Sequence, residues 1–188
     1  LQARIRHAFS RSQSLSHDGN DSLRIRFIPS QNGKIIMNKA SQQRLAKVHP
    51  ELATRVTLLI ETLAREGMVV EVVQGLRTFA EQDALFALGR TKPGQIVTNA
   101  RGGLSNHNYG LAVDLCPFLN GRPQWKHNEG FIRIGVEATK LGLEWGGSWK
   151  KFIDKPHVQL PGLTVAQCLH LYRKGGLSGV WCRVPEIR

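Results

Sequence analysis

The sequence predicts an α+β fold, a small and mostly antiparallel sheet flanked by helices. Amphipathic helical stretches and short β-branched runs are both present, and Gly, Asn and Pro punctuate them. The order of these stretches lacks a βαβ rhythm, which argues against a parallel sheet. With 188 residues, 41% hydrophobic and 21% charged, the chain suits one domain with a real core.

Residues 1–34 are polar, basic and aperiodic, and are expected to form a flexible arm. Within them residues 23–28 alternate and could add an edge strand. Residues 35–188 form the expected domain. Leu45, Val48, Leu52, Val56, Leu59 and Leu63 recur at steps of three and four, which places them on one helical face stopped by Gly67. Pro50 falls inside this span, as a kink or as a break between a short and a longer helix. Residues 68–73 read as a buried strand. Thr78 followed by Glu81 is a capping-box signature that opens a helix ending at Gly89. Residues 90–106 are a long loop of the kind that is usually functional or mobile. A strand at 111–118 follows, then a helix at about 129–141 stopped by Gly142. Short strands at 143–145 and 157–160 come next, with a last helix at 164–174 ended by Gly175-Gly176.

The formal charge is +12, with 26 Lys and Arg against 14 Asp and Glu. Such a surplus attracts polyanions through salt-sensitive long-range forces: nucleic acid, an anionic membrane or the anionic polymers of a bacterial envelope. The basic residues are scattered and no aromatic-basic stacking pattern appears, so nucleic acid is not the expected partner. No apolar run approaches the roughly 18 residues needed to span a bilayer. The opening Leu1 to Arg6 also lacks the apolar stretch of a secretory signal. Cys116, Cys168 and Cys182 are widely spaced and odd in number. Buried free thiols are the expectation, with a single disulfide as the alternative.

Three segments concentrate residues that bind metal and activate water: 105–114, 145–157 and 75–78. On the strand after residue 110, Leu111, Val113 and Leu115 share one face, while Ala112, Asp114 and Cys116 share the other. A carboxylate between small residues leaves space for a ligand above it, and the turn through Asn108 and Gly110 can fold His107 back over Asp114. His107, Asp114 and His157 make a reasonable three-ligand zinc set with one place left over, although a seven-residue spacing is not diagnostic by itself. Ordinary core histidines or an ion pair remain the alternative. Asp154, three residues before His157, suits a general base or a turn-forming Asp ahead of Pro156. Arg77 is placed to stabilise an oxyanion, to hold a substrate carboxylate or to form a structural ion pair. Tyr109, Trp145 and Trp149 are core aromatics or walls of a groove. His7, His17, His49, His127 and His170 have surface or packing roles.

These segments resemble the LAS group of metallopeptidases, in the branch of L-alanyl-D-glutamate endopeptidases from bacteria and phage endolysins, with VanY-type D-Ala-D-Ala carboxypeptidases as close relatives. The family pattern Ser-x-His-x-x-Gly-x-Ala-x-Asp matches Ser105, His107, Gly110, Ala112 and Asp114. Its later Trp-Gly-Gly and Asp-x-x-His match Trp145, Gly146, Gly147, Asp154 and His157. Gly75-Leu76-Arg77-Thr78 with Glu81-Gln82 completes the likeness, which covers roughly residues 40–160. Two departures stand out. Ser148 occupies a position that is acidic in many relatives, and Asp154 replaces the Glu base of VanX-like dipeptidases, which favours the endopeptidase branch.

The resemblance implies a LAS/hedgehog-like metallopeptidase fold and a zinc cofactor on His107, Asp114 and His157. It implies Asp154 as general base and Arg77 as transition-state stabiliser, with Ser105, Gln82, Tyr109 and Trp145 toward substrate. The implied substrate is bacterial peptidoglycan, cut between L-Ala and D-Glu, by a monomer acting at the cell wall. That site of action would be periplasmic or extracellular, or reached by phage release from the host cytoplasm. A D-Ala-D-Ala carboxypeptidase is the alternative enzyme. A non-catalytic, zinc-containing module that binds the cell wall is the alternative of another kind.

Overall fold

In a computed structural model, residues 37–185 are described, and the expected arm over 1–34 lies outside them. Pro50 is a break. Helix α1 spans Lys39–Leu45 and helix α2 spans Pro50–Arg65, with Pro50 at its first turn, where a missing N–H costs nothing. His49 caps α2 by accepting from the Glu51 N–H. The predicted stripe is the buried face, since Leu45, Val48, Leu52, Val56, Leu59 and Leu63 are all in the core.

Strand β1, Val69–Gln74, is half-buried, with Val69 exposed and Val70 and Val72 inside. The expectation of a buried strand is corrected to an amphipathic one. The Thr78–Glu81 capping box forms as predicted and opens helix α3, Phe79–Ala87. After the long loop come β2, Ala112–Leu119, and β3, Arg122–Pro123. Helix α4 covers Asn128–Lys140, followed by β4, Glu144–Trp145, and β5, His157–Gln159. Helix α5, Val165–Trp181, has non-helical backbone at Gly175 and Gly176. The glycine pair therefore interrupts the helix, as expected, but a second helical piece follows it.

The sheet order is β1-β2-β5-β4, with β3 also on β2, and every pairing is antiparallel. Strand β2 is central and buried from Ala112 to Pro117. It covers one face of a core built with α2 and α4, in which Leu59, Val72, Leu115, Phe131 and Ile134 are almost wholly excluded from solvent. Burying each such side chain contributes about 1.5–3 kcal/mol. All three cysteines are free. Cys116 and Cys168 are buried as expected, whereas Cys182 is exposed, as the residue that caps the C-terminal end of α5. Among the described residues no helix is long and apolar enough to cross a membrane.

Candidate metal centre

Sheet register assembles the site. Asp114 on β2 and His157 on β5 are direct cross-strand partners, so both side chains stand on one face of the sheet. His107 arrives from a 3₁₀ turn, Asn106–Tyr109, just before β2. Gly110 ends that turn at φ 66°, and a Cβ there would sit 3.1 Å from Trp181 and 3.2 Å from the Val48 backbone. Only glycine fits both the left-handed backbone and the close approach. Asn108 pins the same turn, accepting from the Gly103 N–H at 2.9 Å and donating to the carbonyls of Arg77 and Thr78 at 2.9 and 3.2 Å.

The three ligand atoms form a nearly equilateral triangle. His107 Nε2 is 3.2 Å from Asp114 Oδ1 and 3.2 Å from His157 Nδ1, and the third side, His157 Nδ1 to Asp114 Oδ1, is 3.5 Å. Ligand atoms about 2.0–2.1 Å from a tetrahedral zinc stand roughly 3.3–3.4 Å from one another, so the triangle matches one face of that tetrahedron. His107 Nδ1 donates to the Gly75 carbonyl at 2.9 Å, which leaves Nε2 with a lone pair aimed at His157 Nδ1. Asp114 Oδ1 is buried without a hydrogen-bond partner. Converging lone pairs around an orphaned carboxylate oxygen are repulsive alone and are satisfied by a cation, so the donor set fits zinc.

Electrostatics point the same way. Burial pushes the Asp114 carboxyl up, but the adjacent imidazoles of His107 and His157 outweigh it and hold it far below the usual carboxylate range. Burial depresses the His157 imidazole, yet Asp114 and Asp154 raise it on balance. Asp154 is pushed up, first by burial and then by the charge of Asp114, with the two imidazoles and Arg77 opposing.

A cleft of about 800 Å³ opens over the triangle. Arg77, Ser105, His107, Asp114, Asp154 and His157 all line it. Six of the nine residues singled out by sequence thus meet in one cleft. Three do not. Gln82 is fully buried and faces Arg77, accepting from its Nη1 at 2.6 Å. Tyr109 is fully buried, donating to the Gly103 carbonyl at 2.6 Å and packing edge-on against Phe79 and Tyr172. Trp145 turns toward α4 and donates to the Lys155 carbonyl at 2.7 Å, while the neighbouring Trp149 lines the cleft, its ring 5.0 Å from that of His157. Those three side chains make contacts within the protein, and none of them lines the cleft. Arg77 is also committed in part, since its Nη2 lies 3.7 Å from Asp114 Oδ2 and turns Oδ1 to the imidazoles. Sequence reasoning passed over Gln159, whose Oε1 meets His157 Nε2 at 2.9 Å. The signal was present, because Gln159 lies two residues beyond His157 and on the same strand face.

The family model described as D-alanyl-D-alanine carboxypeptidase, of the M15 peptidases, matches residues 98–160, the stretch holding all three ligand positions. The peptidoglycan L-alanyl-D-glutamate endopeptidase CwlK of Bacillus subtilis (strain 168) is 38% identical over 128 residues, covering 60% of this chain and 73% of CwlK. The chain belongs to the M15 peptidase family. The L-alanyl-D-glutamate peptidase of Escherichia phage T5 is 28% identical over 116 residues, covering 57% of this chain and 72% of its own. Among solved structures, the Serratia marcescens L-Ala D-Glu endopeptidase ChiX superposes with a TM-score of 0.52 at 25% identity, covering 78% of this chain and 98% of ChiX. M15 peptidases are zinc-dependent, and His107, Asp114 and His157 of this M15 peptidase present the donor set that zinc takes.

Proposed function

We propose that this M15 peptidase hydrolyses the stem peptide of bacterial peptidoglycan at the bond between L-Ala and D-Glu. One observation carries the reading: a triangle of three zinc-type ligand atoms shares its cleft with Asp154, a half-buried carboxylate outside the triangle. The likeness to CwlK and to ChiX supports the choice of bond.

A bound zinc supplies Lewis acidity, which polarises a peptide carbonyl and makes water acidic near neutral pH. The chain's own groups supply the rest. Asp154, made more basic by burial and by Asp114, takes a proton from the attacking water as a C–O bond forms at the carbonyl carbon. It returns that proton to the leaving nitrogen as the C–N bond breaks, giving an L-Ala carboxylate and a D-Glu amine. Arg77 keeps its charge close to the triangle through Asp114 and Gln82, and donates to the oxygen on which negative charge develops. Ser105, on the cleft wall, holds the substrate backbone.

The family description favours a second reading, D-Ala-D-Ala carboxypeptidase, which uses the same chemistry at the far end of the stem. A binding module without catalysis has no use for Asp154 in the cleft and is disfavoured. The enzyme is expected to act as a monomer at the cell wall, outside the cytoplasmic membrane or delivered there by phage lysis. Its +12 charge suits anionic envelope polymers, and the scatter of its basic residues gives no nucleic-acid pattern. Mass spectrometry of fragments released from purified peptidoglycan distinguishes the readings. New D-Glu amino termini support the endopeptidase, free D-Ala supports the carboxypeptidase, and intact stems with zinc-loaded protein refute both.

A further inference from the structure

We propose that Gln159, anchored by Glu144, is the positioning residue that fixes the tautomer of His157 and thereby selects Nδ1 as its metal-binding nitrogen. The inference rests on the zinc reading of the triangle and concerns how the chain prepares it.

Glu144 and Gln159 are cross-strand partners on β4 and β5. Gln159 Nε2 donates to Glu144 Oε2 at 2.6 Å. An ionised carboxylate only accepts, so this contact determines which end of the Gln159 amide faces the other way. The amide oxygen therefore points to the site, where it accepts from Asn106 Nδ2 at 2.7 Å and meets His157 Nε2 at 2.9 Å. A carbonyl oxygen in that place requires the proton on Nε2, and the lone pair is left on Nδ1, toward His107 and Asp114. His107 is set the opposite way, by a backbone carbonyl on Nδ1, so the two imidazoles present different nitrogens to one point. A backbone acceptor cannot flip. An amide can, which gives Glu144, exposed and outside the cleft, its purpose.

The test compares zinc affinity, by chelator competition, and the His157 tautomer, by ¹⁵N NMR of the metal-free protein. The variants are Gln159→Leu, Gln159→Glu paired with Glu144→Gln, and Glu144→Leu. Gln159→Leu is expected to weaken zinc binding about 10–100-fold and to lose the pure Nε2–H form. Gln159→Glu paired with Glu144→Gln swaps donor and acceptor between the strands, keeps an acceptor on His157 Nε2, and is expected to rescue both readouts. Glu144→Leu, at an exposed position that spares folding, is expected to shift both in the direction of Gln159→Leu, and it decides the matter should Gln159→Leu fail to fold. Wild-type affinity together with an unchanged tautomer in Gln159→Leu, or in Glu144→Leu where that variant decides, overturns the inference alone. A wild-type protein that takes up no zinc overturns the metal reading beneath it. Neither readout needs cell wall, so failure of the substrate assignment is told apart from both.

Discussion

Asp114 has two imidazoles beside one oxygen and a guanidinium beside the other, and a metal among them needs the imidazoles free to give lone pairs. Protons compete with metal for those lone pairs. Because Asp114 and Asp154 raise the His157 pKa above 6.5 in spite of burial, zinc affinity is complete above that raised value and is lost as pH falls through it. The decline is expected to begin on the alkaline side of 6.5, and zinc titrations across pH 5–8 measure it (the histidine range). Asp154→Asn keeps the three ligands and is expected to retain zinc while losing about 10²–10⁴ in kcat, read in parallel by metal analysis and wall turbidity. Gln82→Leu leaves the buried Arg77 Nη1 without its acceptor and is expected to cost about 1–3 kcal/mol of stability, seen in urea unfolding. His107, Asp114, Asp154 and His157 were legible as members of one cleft because each stands at a defined offset within its motif. Gln82, Tyr109 and Trp145 were not, since a motif locates a residue along the chain but not which way its side chain turns.

Helix α4 and strand β4 meet through Trp145, whose indole lies between two glycines. A Cβ on Gly135 would approach the ring to 2.2 Å, and one on Gly147 to 2.1 Å. The same indole holds the Lys155 carbonyl and so steadies the segment between Asp154 and His157. Gly135→Ala is therefore expected to destabilise the fold by about 1–3 kcal/mol, through overpacking, and to lower activity along with it. Thermal unfolding and wall lysis on one sample check both halves. Trp-Gly-Gly reads in sequence as a substrate wall or a core; in space it is the seat of a helix, a distant contact that no local pattern encodes. Pro50, the Thr78 capping box and the predicted helix starts were readable because their causes lie within one turn. The helical piece beyond Gly175-Gly176 was missed for the matching reason. Local rules end a helix at such a pair, whereas Trp181 is drawn back by its hydrogen bond to the Tyr109 carbonyl at 2.7 Å.

At the scale of the molecule, the antiparallel sheet turns dispersed sequence into a cage, with β2 at its centre and ligands from β2, β5 and the turn before β2. The α+β class and its antiparallel sheet followed from the order of periodic segments, but the order β1-β2-β5-β4 did not, because pairing partners far apart in sequence leave no local trace. Since a metal joining these elements binds the folded chain alone, zinc at one hundred times its Kd is expected to add about 2.7 kcal/mol of stability. A chelator should lower Tm correspondingly. The most direct measurement is X-ray absorption at the zinc edge on protein loaded with one equivalent of metal. The predicted spectrum shows four nitrogen or oxygen neighbours at about 2.0–2.1 Å, two of them imidazoles, and loses an imidazole in His107→Ala and in His157→Ala. Sulfur neighbours, or a spectrum that neither substitution changes, would contradict the site.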